Sequence, residues 1–449
     1  MEKTMKERLL TDNLVRLMFH QAVPAVLGML VIGLFPLMDG IFAGNILGEA
    51  AMTACSVSAP ITFVNNGVST LIGIGSASIL SRALGEGDQE KIDKIMGNLV
   101  YWVIVLSLLI TVFGIFLSPY FLDLLGASGA IKELGLRYVR IIFAGSFFIN
   151  YVQSSNMVMR GEGQVKKAML IMGLGAILNI ILDPIFMIAM GEYGIEGAAL
   201  ATILAQSVQA GFTLYYFRYK SDVVKIGKIK KANELSKEMV GVGISAMLMQ
   251  ILFMVQQSLL YRQAFQYGSD EWATLMAATL RFYGFSFIPL WGMSQALQPI
   301  IGANFGAKQY ARVKETMKIF ILSGTILSLV FYLPAQFFPA RIFGLFNVSE
   351  EIIQRGVGHF RLFFSVYILY AAMNMAITFF QSIGNGKKAG IIVLLRQLIL
   401  FVPALLILPG IFGSGAVWWA EALVDLIVIL IALAMMVQEI KAFKQAEFI

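Results

Sequence analysis

The sequence is poor in charge, cysteine and histidine. Its 449 residues include one cysteine and two histidines, and only 14% of them are charged. The single cysteine, Cys55, allows no internal disulfide and lies in an apolar stretch, where we expect it to pack. The chain has no HExxH zinc motif, no GxSxG nucleophile elbow and no GxxxxGK phosphate loop followed by Ser or Thr. These absences argue against an enzyme and against direct use of ATP.

Hydrophobic residues are abundant instead. They make up 58% of the chain, and the mean hydropathy is +0.78. No soluble globular domain has this balance, so the composition predicts a polytopic membrane protein. The formal charge is +7, but the basic residues lie in loops between apolar runs and are not clustered with aromatic residues. We therefore expect no nucleic-acid partner.

Twelve apolar runs are long enough to cross a bilayer as helices, which predicts an all-α polytopic membrane protein. The predicted spans are residues 17–44, 53–83, 97–118, 134–160, 168–190, 194–217, 238–264, 273–304, 316–338, 357–384, 388–409 and 413–437.

The longest polar connection separates two groups of six predicted helices. It predicts an N-terminal lobe of residues 1–217, a basic cytoplasmic linker of residues 218–237 and a C-terminal lobe of residues 238–449. Lysine and arginine are concentrated in alternate connections, which places both termini in the cytoplasm under the positive-inside rule. We therefore expect a multi-pass membrane protein.

The two halves repeat at an offset of 221 residues. Arg140 corresponds to Arg361, and Gly163 corresponds to Gly384. Because each half has an even number of helices, both halves enter the membrane from the same side, which makes the repeat parallel. Two parallel pseudo-symmetric lobes predict a central cleft that can open to either face.

One acidic residue lies inside the fifth predicted span. Asp183 follows Asn179 by four residues, so both side chains lie on one helix face. Pro184 comes next and leaves a backbone carbonyl without its usual donor. A charged aspartate at the bilayer centre costs about 2.5–3.5 kcal/mol. We therefore expect Asp183 to face a polar cavity or to have a function.

Helix depths predict which polar residues lie near Asp183. With a rise of about 1.5 Å per residue, Thr202 on the sixth helix reaches a depth within about one turn of Asp183. Asp39 lies near the outer end of the first helix, and Tyr138 lies near the outer start of the fourth. We expect these four residues and Asn179 to converge in the outer half of the first lobe.

The second lobe has no acidic counterpart of Asp39 or Asp183 at the repeat offset. Its intramembrane acids are Glu421 and Asp425, both in helix twelve. Arg396 in helix eleven lies at the depth of Asp425, which predicts a structural Arg396–Asp425 ion pair. Glu421 has two interpretations, a second protonation site or a residue that faces the cavity.

Helices seven and eight are rich in methionine, aromatic residues and glutamine. These side chains suggest an adaptable wall for varied apolar cations, although packing and lipid contact are the ordinary roles of each one singly. The candidate substrate-binding residues are Gln256, Met249, Phe253, Tyr283, Phe287 and Met293.

Several stretches resemble the multidrug and toxic compound extrusion (MATE) family. They are MDGIFAGN (38–45), NIILDPIF (179–186), GIEGAALAT (194–202), QALQPIIGANFGA (295–307), FFQSIGNGKKA (379–389) and LLRQLILFVPALLILP (394–409). The aspartate in the first helix resembles the DinF-like branch, and within it the bacterial drug exporters of the MepA type. The similarity extends over nearly the whole chain.

The resemblance implies a twelve-helix, two-lobe antiporter that exports cationic or amphiphilic drugs in exchange for H⁺ or Na⁺. Carried over by position, the ion site uses four side chains, which would also be the Na⁺ ligands. A backbone carbonyl of Ala198 and the ring of Tyr138 complete it. No cofactor is expected besides the coupling ion. The four side chains are those of Asp39, Asn179, Asp183 and Thr202.

We hypothesise that ion binding at Asp39 and Asp183 rearranges the first lobe around Pro24, Pro36 and Pro184. Two alternatives remain at this point. A flippase for lipid-linked oligosaccharides would need a cationic cavity, whereas the distinctive buried group here is acidic. An intramembrane aspartyl protease would use the two aspartates as a catalytic pair, but neither one lies in a motif that indicates this chemistry.

Overall fold

The structure is a computed structural model that describes residues 4–346 and 348–446, without the side chains at 34–37, 40, 270 and 444–446. Pro36 therefore lies outside the described side chains. Within the described residues, every regular element is a helix. The helices of the first half are α1 (Met5–Thr11), α2 (Leu14–Phe42), α3 (Glu49–Thr62), α4 (Val64–Glu86), α5 (Gln89–Leu124), α6 (Gly129–Ala144), α7 (Ser146–Gly161), α8 (Val165–Ala189) and α9 (Gly194–Tyr215).

The second half has the same number of helices. They are α10 (Asn233–Tyr267), α11 (Asp270–Gly306), α12 (Tyr310–Phe337), α13 (Pro339–Leu345), α14 (Glu350–Phe363), α15 (Tyr370–Ser382), α16 (Gly386–Leu394), α17 (Phe401–Phe412) and α18 (Ala416–Ala446).

Four of the predicted spans are interrupted helices. The second span is α3 followed by α4, the fourth is α6 followed by α7, and the tenth is α14 followed by α15. In the eleventh, a π-helical turn at Leu395–Ile399 joins α16 to α17. An interruption leaves the hydrophobicity of a run unchanged, so the sequence predicted each of these as one helix.

The twelve predicted spans are present in the described part of the chain. Eleven are long and apolar enough to cross a membrane by length and composition. The fourth, α6–α7, is more polar, but it packs among α3, α4, α5 and α9 in the same bundle. Several helices run past the predicted ends, such as α5 to Leu124 and α18 to Ala446. The apolar pattern of a helix ends with the lipid, whereas its backbone hydrogen bonding can continue for several more residues.

The backbone repeats as the sequence predicted. Gly163 and Gly384 both have positive φ, at 85° and 82°. Gly87 and Lys308 are also 221 positions apart, and their φ values are 78° and 56°. Both pairs lie where one spanning helix ends and the next begins. Lys308 is the one described residue other than glycine with positive φ.

We expect Lys308→Gly to raise the free energy of unfolding by about 1 kcal/mol, because glycine adopts positive φ without the Cβ clash that lysine has. Thermal unfolding of the purified protein measures the change. The matched control is Lys318→Gly in the exposed interior of α12, which we expect to lower stability by about 1 kcal/mol. Equal effects of the two changes would contradict this explanation.

The two lobes are in close contact on the face that carries both termini. There α4 packs against α10 and α11. A Cβ added at Gly243 of α10 would collide with the carbonyl oxygen of Leu71 on α4. Arg82 of the first lobe forms an ion pair of 2.5 Å with Glu238 of the second, and its guanidinium fills the space that a side chain at Gly384 would occupy. Small residues thus let the two backbones approach closely.

Both chain ends pack on this face. The side-chain amide of Asn304 donates a hydrogen bond of 3.1 Å to the carbonyl oxygen of Leu9. At the other end of the chain, the ring of Phe443 packs on those of Phe305 and Tyr310. The first and last described segments of the chain thus lie on one face, as the even helix count requires. We call this side the terminus face.

A buried acid from α7 holds the start of the connection between the lobes. The carboxylate of Glu162, at the end of α7, accepts hydrogen bonds from the hydroxyls of Tyr216 and Ser221. A π-helical turn continues α9 through Lys220, and α10 begins at Asn233. The linker boundaries at residues 218 and 237 stay a prediction.

Burial raises the pKa of Glu162 to about 7, although the hydrogen bonds from Tyr216 and Ser221 and the charge of Lys167 oppose this. The unfolded chain loses this proton near the ordinary pKa of 4.5, so folding is progressively disfavoured as the pH rises from about 4.5 through about 7. We expect Glu162→Gln to remove this part of the pH dependence of thermal unfolding. The exposed Glu234→Gln is the control, and a profile unchanged by Glu162→Gln would refute the assignment.

Candidate ion site and central cavity

Asp183 is buried in the first lobe, where α2, α8 and α9 meet. It is 1% exposed, and its carboxyl group lies within hydrogen-bonding range of that of Asp39 on α2. The side-chain amide of Asn179 donates to Asp183 at 3.0 Å and to the hydroxyl of Thr202 at 3.3 Å. The Thr202 hydroxyl donates in turn to the carbonyl oxygen of Ala198 at 3.1 Å. The structure thus brings these five predicted residues together.

Three oxygens of this group are buried without a hydrogen-bond partner. They are Oδ1 of Asp39, Oδ2 of Asp183 and Oδ1 of Asn179. Two adjacent ionised carboxylates repel each other in a medium of low dielectric constant. A shared proton or a bound cation removes this repulsion. The donor set contains only oxygen, which suits a proton or a hard cation such as Na⁺.

Tyr138 and Cys55 enclose the site on its other side. Both pack against an apolar cluster formed by Ala43, Met187 and Ala198. The predicted position of Tyr138 beside the site is therefore correct. Cys55 packs, as expected, but its closeness to the carboxyl pair was not predicted, because nothing in the sequence shows which side of the second helix faces α2.

A small pocket of about 40 Å³, with a mostly apolar lining, extends from Asn179 and Thr202 toward the terminus face. Gln206 and Gln209 of α9 line it, and each has a buried side-chain oxygen without a partner. These glutamines were missed by the sequence reasoning. Their spacing from Thr202, at four and seven residues, places all three on one helix face and could have revealed them.

Among the described residues, no group of three or more histidines, cysteines, aspartates and glutamates is placed to hold a metal ion. The candidate Na⁺ ligands Asp39, Asn179, Asp183 and Thr202 include two carboxylates. An ion there would depend on the amide and hydroxyl oxygens as well.

A cavity of about 220 Å³, called the central cavity here, lies in the second lobe and faces the first lobe at Phe63, the one first-lobe residue among its described lining residues. It lies farther from the terminus face than the contact of Gly243 with α4. Its wall is mostly aromatic and apolar. The rings of Phe253 and Phe287 stack with their centroids 5.9 Å apart. A narrow extension of about 20 Å³ toward the terminus face is lined by polar residues such as Gln295 and Gln298.

The structure places only some of the six predicted substrate-binding residues at the cavity. Met249, Phe253 and Phe287 line the cavity. Gln256 and Tyr283 lie behind the wall, in contact with Arg396. Met293 is 3% exposed, lies beside Gly324 of α12 and is not among the described lining residues, so its role in substrate binding stays a prediction. Sequence spacing placed it on the right helix but could not fix the direction of its side chain.

The predicted Arg396–Asp425 pair is present in the second lobe. The guanidinium Nε of Arg396 lies 2.7 Å from Oδ1 of Asp425. Glu421 joins the pair, with an oxygen 3.3 Å from Nη2 of Arg396. Arg396 also lines the central cavity. The contact alone therefore does not decide whether the pair is purely structural, as predicted, or also takes part in transport.

The family model described as MatE matches residues 24–185 and 244–406. These two matches cover most of the chain and fall one in each lobe. The chain belongs to the MATE family. It is therefore a multi-pass membrane transporter rather than an enzyme, and the intramembrane protease alternative is wrong.

Known relatives are similar in sequence to this chain over nearly its full length. The multidrug export protein MepA of Staphylococcus aureus strain MSSA476 is 27% identical over 420 residues, which is 92% of each chain. The MepA protein of Staphylococcus saprophyticus is 26% identical over 418 residues, or 93% of this chain and 92% of the relative.

Solved MATE structures share the fold. A crystal structure of MATE in the bent conformation has a TM-score of 0.93 at 25% identity, with 100% of both chains covered. The outward-facing conformation of a multidrug resistance MATE family transporter has a TM-score of 0.91 at 25% identity and covers 99% of this chain and 100% of its own. The predicted fold of two six-helix lobes is thus confirmed for this MATE family member.

Proposed function

We propose that this MATE family member exports organic cations in exchange for H⁺ or Na⁺, with coupling at Asp39 and Asp183. It would act as a monomer in a bacterial plasma membrane, with the terminus face in the cytoplasm. The observation that carries the proposal is the buried carboxyl pair with its unpartnered oxygens. Relatives named multidrug export proteins support the substrate class.

The carboxyl pair is linked to the cavity through α2. Asp39 is on α2, and a Cβ added at Gly33 of the same helix would lie 2.6 Å from Cδ1 of Ile288. Ile288 lines the central cavity. A movement of α2 therefore changes the cavity wall directly.

The presence or absence of the ion controls this movement. With a proton or Na⁺ present, the carboxyl groups of Asp39 and Asp183 can stay together, and without it they repel each other and drive α2 and α8 apart. Pro184 cannot donate to the carbonyl of Ile180, so α8 lacks one hydrogen bond beside the acid and bends at lower cost. Ion binding and cavity shape are thereby coupled, and access can alternate between the two faces.

The cavity fits apolar cations better than anionic lipid-linked substrates. Its aromatic wall offers ring faces to a cation. Arg396 is the one charged residue among the described lining residues, and its charge is offset by Asp425 and Glu421. A flippase for pyrophosphate-linked substrates would need unpaired basic groups there.

The decisive experiment is export of tetraphenylphosphonium from proteoliposomes that contain the purified protein. A proton gradient and a sodium gradient are imposed separately. We expect at least one gradient to drive uphill movement of the cation. If neither gradient drives it, the antiport proposal fails.

A further inference from the structure

A second buried charge cluster lies behind the cavity wall in the second lobe. Glu421 and Asp425 are four residues apart on α18, so both project from one helix face. Arg396 reaches them from the π-helical turn that interrupts the eleventh span. All three residues are no more than 4% exposed. Such a cluster is costly to bury unless its charges and hydrogen bonds are satisfied.

The bonds of Arg396 favour Asp425 over Glu421. Both oxygens of Asp425 accept from Arg396, at 2.7 Å and 3.3 Å. Only one oxygen of Glu421 does, at 3.3 Å. The same guanidinium donates to the hydroxyl of Tyr283 at 2.8 Å and lies 4.8 Å from the ring centre of Tyr370. Asp425 is thus the neutralising partner of Arg396.

Glu421 is the acid of the cluster that has no positive charge of its own to neutralise it. Its Oε1 accepts a hydrogen bond of 2.5 Å from the amide of Gln256, whereas its Oε2 is buried without a partner. With both acids ionised, two negative charges face one positive charge, which leaves a net negative charge in the hydrocarbon region. A proton on Glu421 makes the cluster neutral, and no other described residue supplies a second positive charge.

The cluster is in contact with the central cavity. Arg396 and Tyr370 both line it, and Tyr370 lies edge-on to Phe287 of the aromatic wall, with ring centroids 5.8 Å apart. The charge of the cluster is therefore felt by a ligand in the cavity through a single layer of side chains. A negative cluster behind aromatic rings favours a cation in front of them.

From this geometry we infer that Glu421 is a second exchangeable proton site, and that release of its proton gives the cavity its affinity for a monovalent organic cation with aromatic groups. The inference rests on the proposed export of cations, but it does not depend on the role of Asp183. In the exchange, the O–H bond of Glu421 breaks, the proton leaves through the cavity, and the cation takes over the charge compensation.

The charged and hydrogen-bonding groups described around Glu421 come from four helices and the π-helical turn. They are Asp425 on its own helix, Arg396 on the π-helical turn, Gln256 on α10, Tyr283 on α11 and Tyr370 on α15. On α14, the imidazole of His359 packs against Trp272 and Trp418 instead. Among these described groups, Glu421 is the acid with a free buried oxygen.

The test counts protons released per cation bound. Tetraphenylphosphonium is titrated into the purified full-length protein by calorimetry, in buffers of different ionisation enthalpy. We expect Glu421→Gln to reduce the release by about one proton and to weaken cation binding roughly tenfold, as expected when one compensating charge is lost. A proton count equal to that of the wild type, including no release in either protein, would overturn the inference.

A spectroscopic measurement keeps the inference testable if Glu421→Gln does not fold. Infrared difference spectra are recorded on the Asp39→Asn, Asp183→Asn double variant, in which Glu421 is intact. We expect cation binding to remove a protonated carboxyl band, and persistence of that band would count against the inference. The same variant separates the two proposals, because unimpaired ion-driven export by it would refute coupling at Asp39 and Asp183 and leave the Glu421 result unaffected.

Discussion

Asp183→Asn is expected to abolish ion-driven export while leaving cation binding in the cavity. Asparagine keeps the shape of the side chain and its hydrogen bond with Asn179, but it can neither carry an exchangeable proton nor repel Asp39. The ion then has no effect on the distance between α2 and α8. We expect uphill export in proteoliposomes to fall at least about a hundredfold, which corresponds to loss of about 3 kcal/mol of coupling free energy.

The control for this change is Glu192→Gln, an exposed acid just beyond the end of α8. It should export at the wild-type rate. Binding of tetraphenylphosphonium to both variants shows that the cavity is intact. Coupled export by Asp183→Asn at the wild-type rate would disprove the role of the carboxyl pair.

Gly243→Val is expected to hold the lobes apart at the terminus face. The added side chain would overlap the carbonyl of Leu71, and neither backbone can move within its helix. Overpacking of this kind costs about 1–3 kcal/mol, enough to change the population of the closed interface by about one to two orders of magnitude. We expect a reporter introduced by Ser78→Cys in a Cys55→Ser background to become accessible to a hydrophilic thiol reagent, and export to stop.

Gly241→Val is the matched control, since it is two residues away on the same helix. Gly241 is exposed, and a Cβ there would meet nothing within 4 Å. It should leave both thiol accessibility and export unchanged. If the thiol reagent labels the Ser78→Cys reporter equally in the two valine variants, close packing at Gly243 does not close the terminus face.

The first-lobe site could largely be predicted from the sequence. Asn179 and Asp183 share a helix face through their spacing, and the rise per residue placed Thr202 at their depth. Asp39 and Tyr138 followed from the positions of their helices and from the family resemblance. The same spacing argument, applied from Thr202, would have found Gln206 and Gln209.

The second-lobe cluster could be predicted only in part. Depth alone matched Arg396 to Asp425, because both lie on adjacent helices of opposite direction. The contact between Glu421 and Gln256 joins α18 to α10. A hydrophobicity pattern does not show which helices are neighbours in the bundle, so this contact could not be predicted. The direction of a side chain on its helix, which leaves Met293 outside the described cavity lining, is likewise fixed by tertiary packing.

The backbone contacts between the lobes also determine how the terminus face responds to water. Gly243 meets a peptide carbonyl of α4, and the nearby Ser78 hydroxyl donates to the carbonyl of Gln381 in the second lobe. Separation of these surfaces exposes carbonyls, hydroxyls and the Arg82–Glu238 pair, which hydrate readily, together with the apolar cluster of Ile74, Val242 and Ala246. In the proposed export cycle, water therefore reaches these polar groups as the face opens, and a charged solute that enters there keeps its hydration shell.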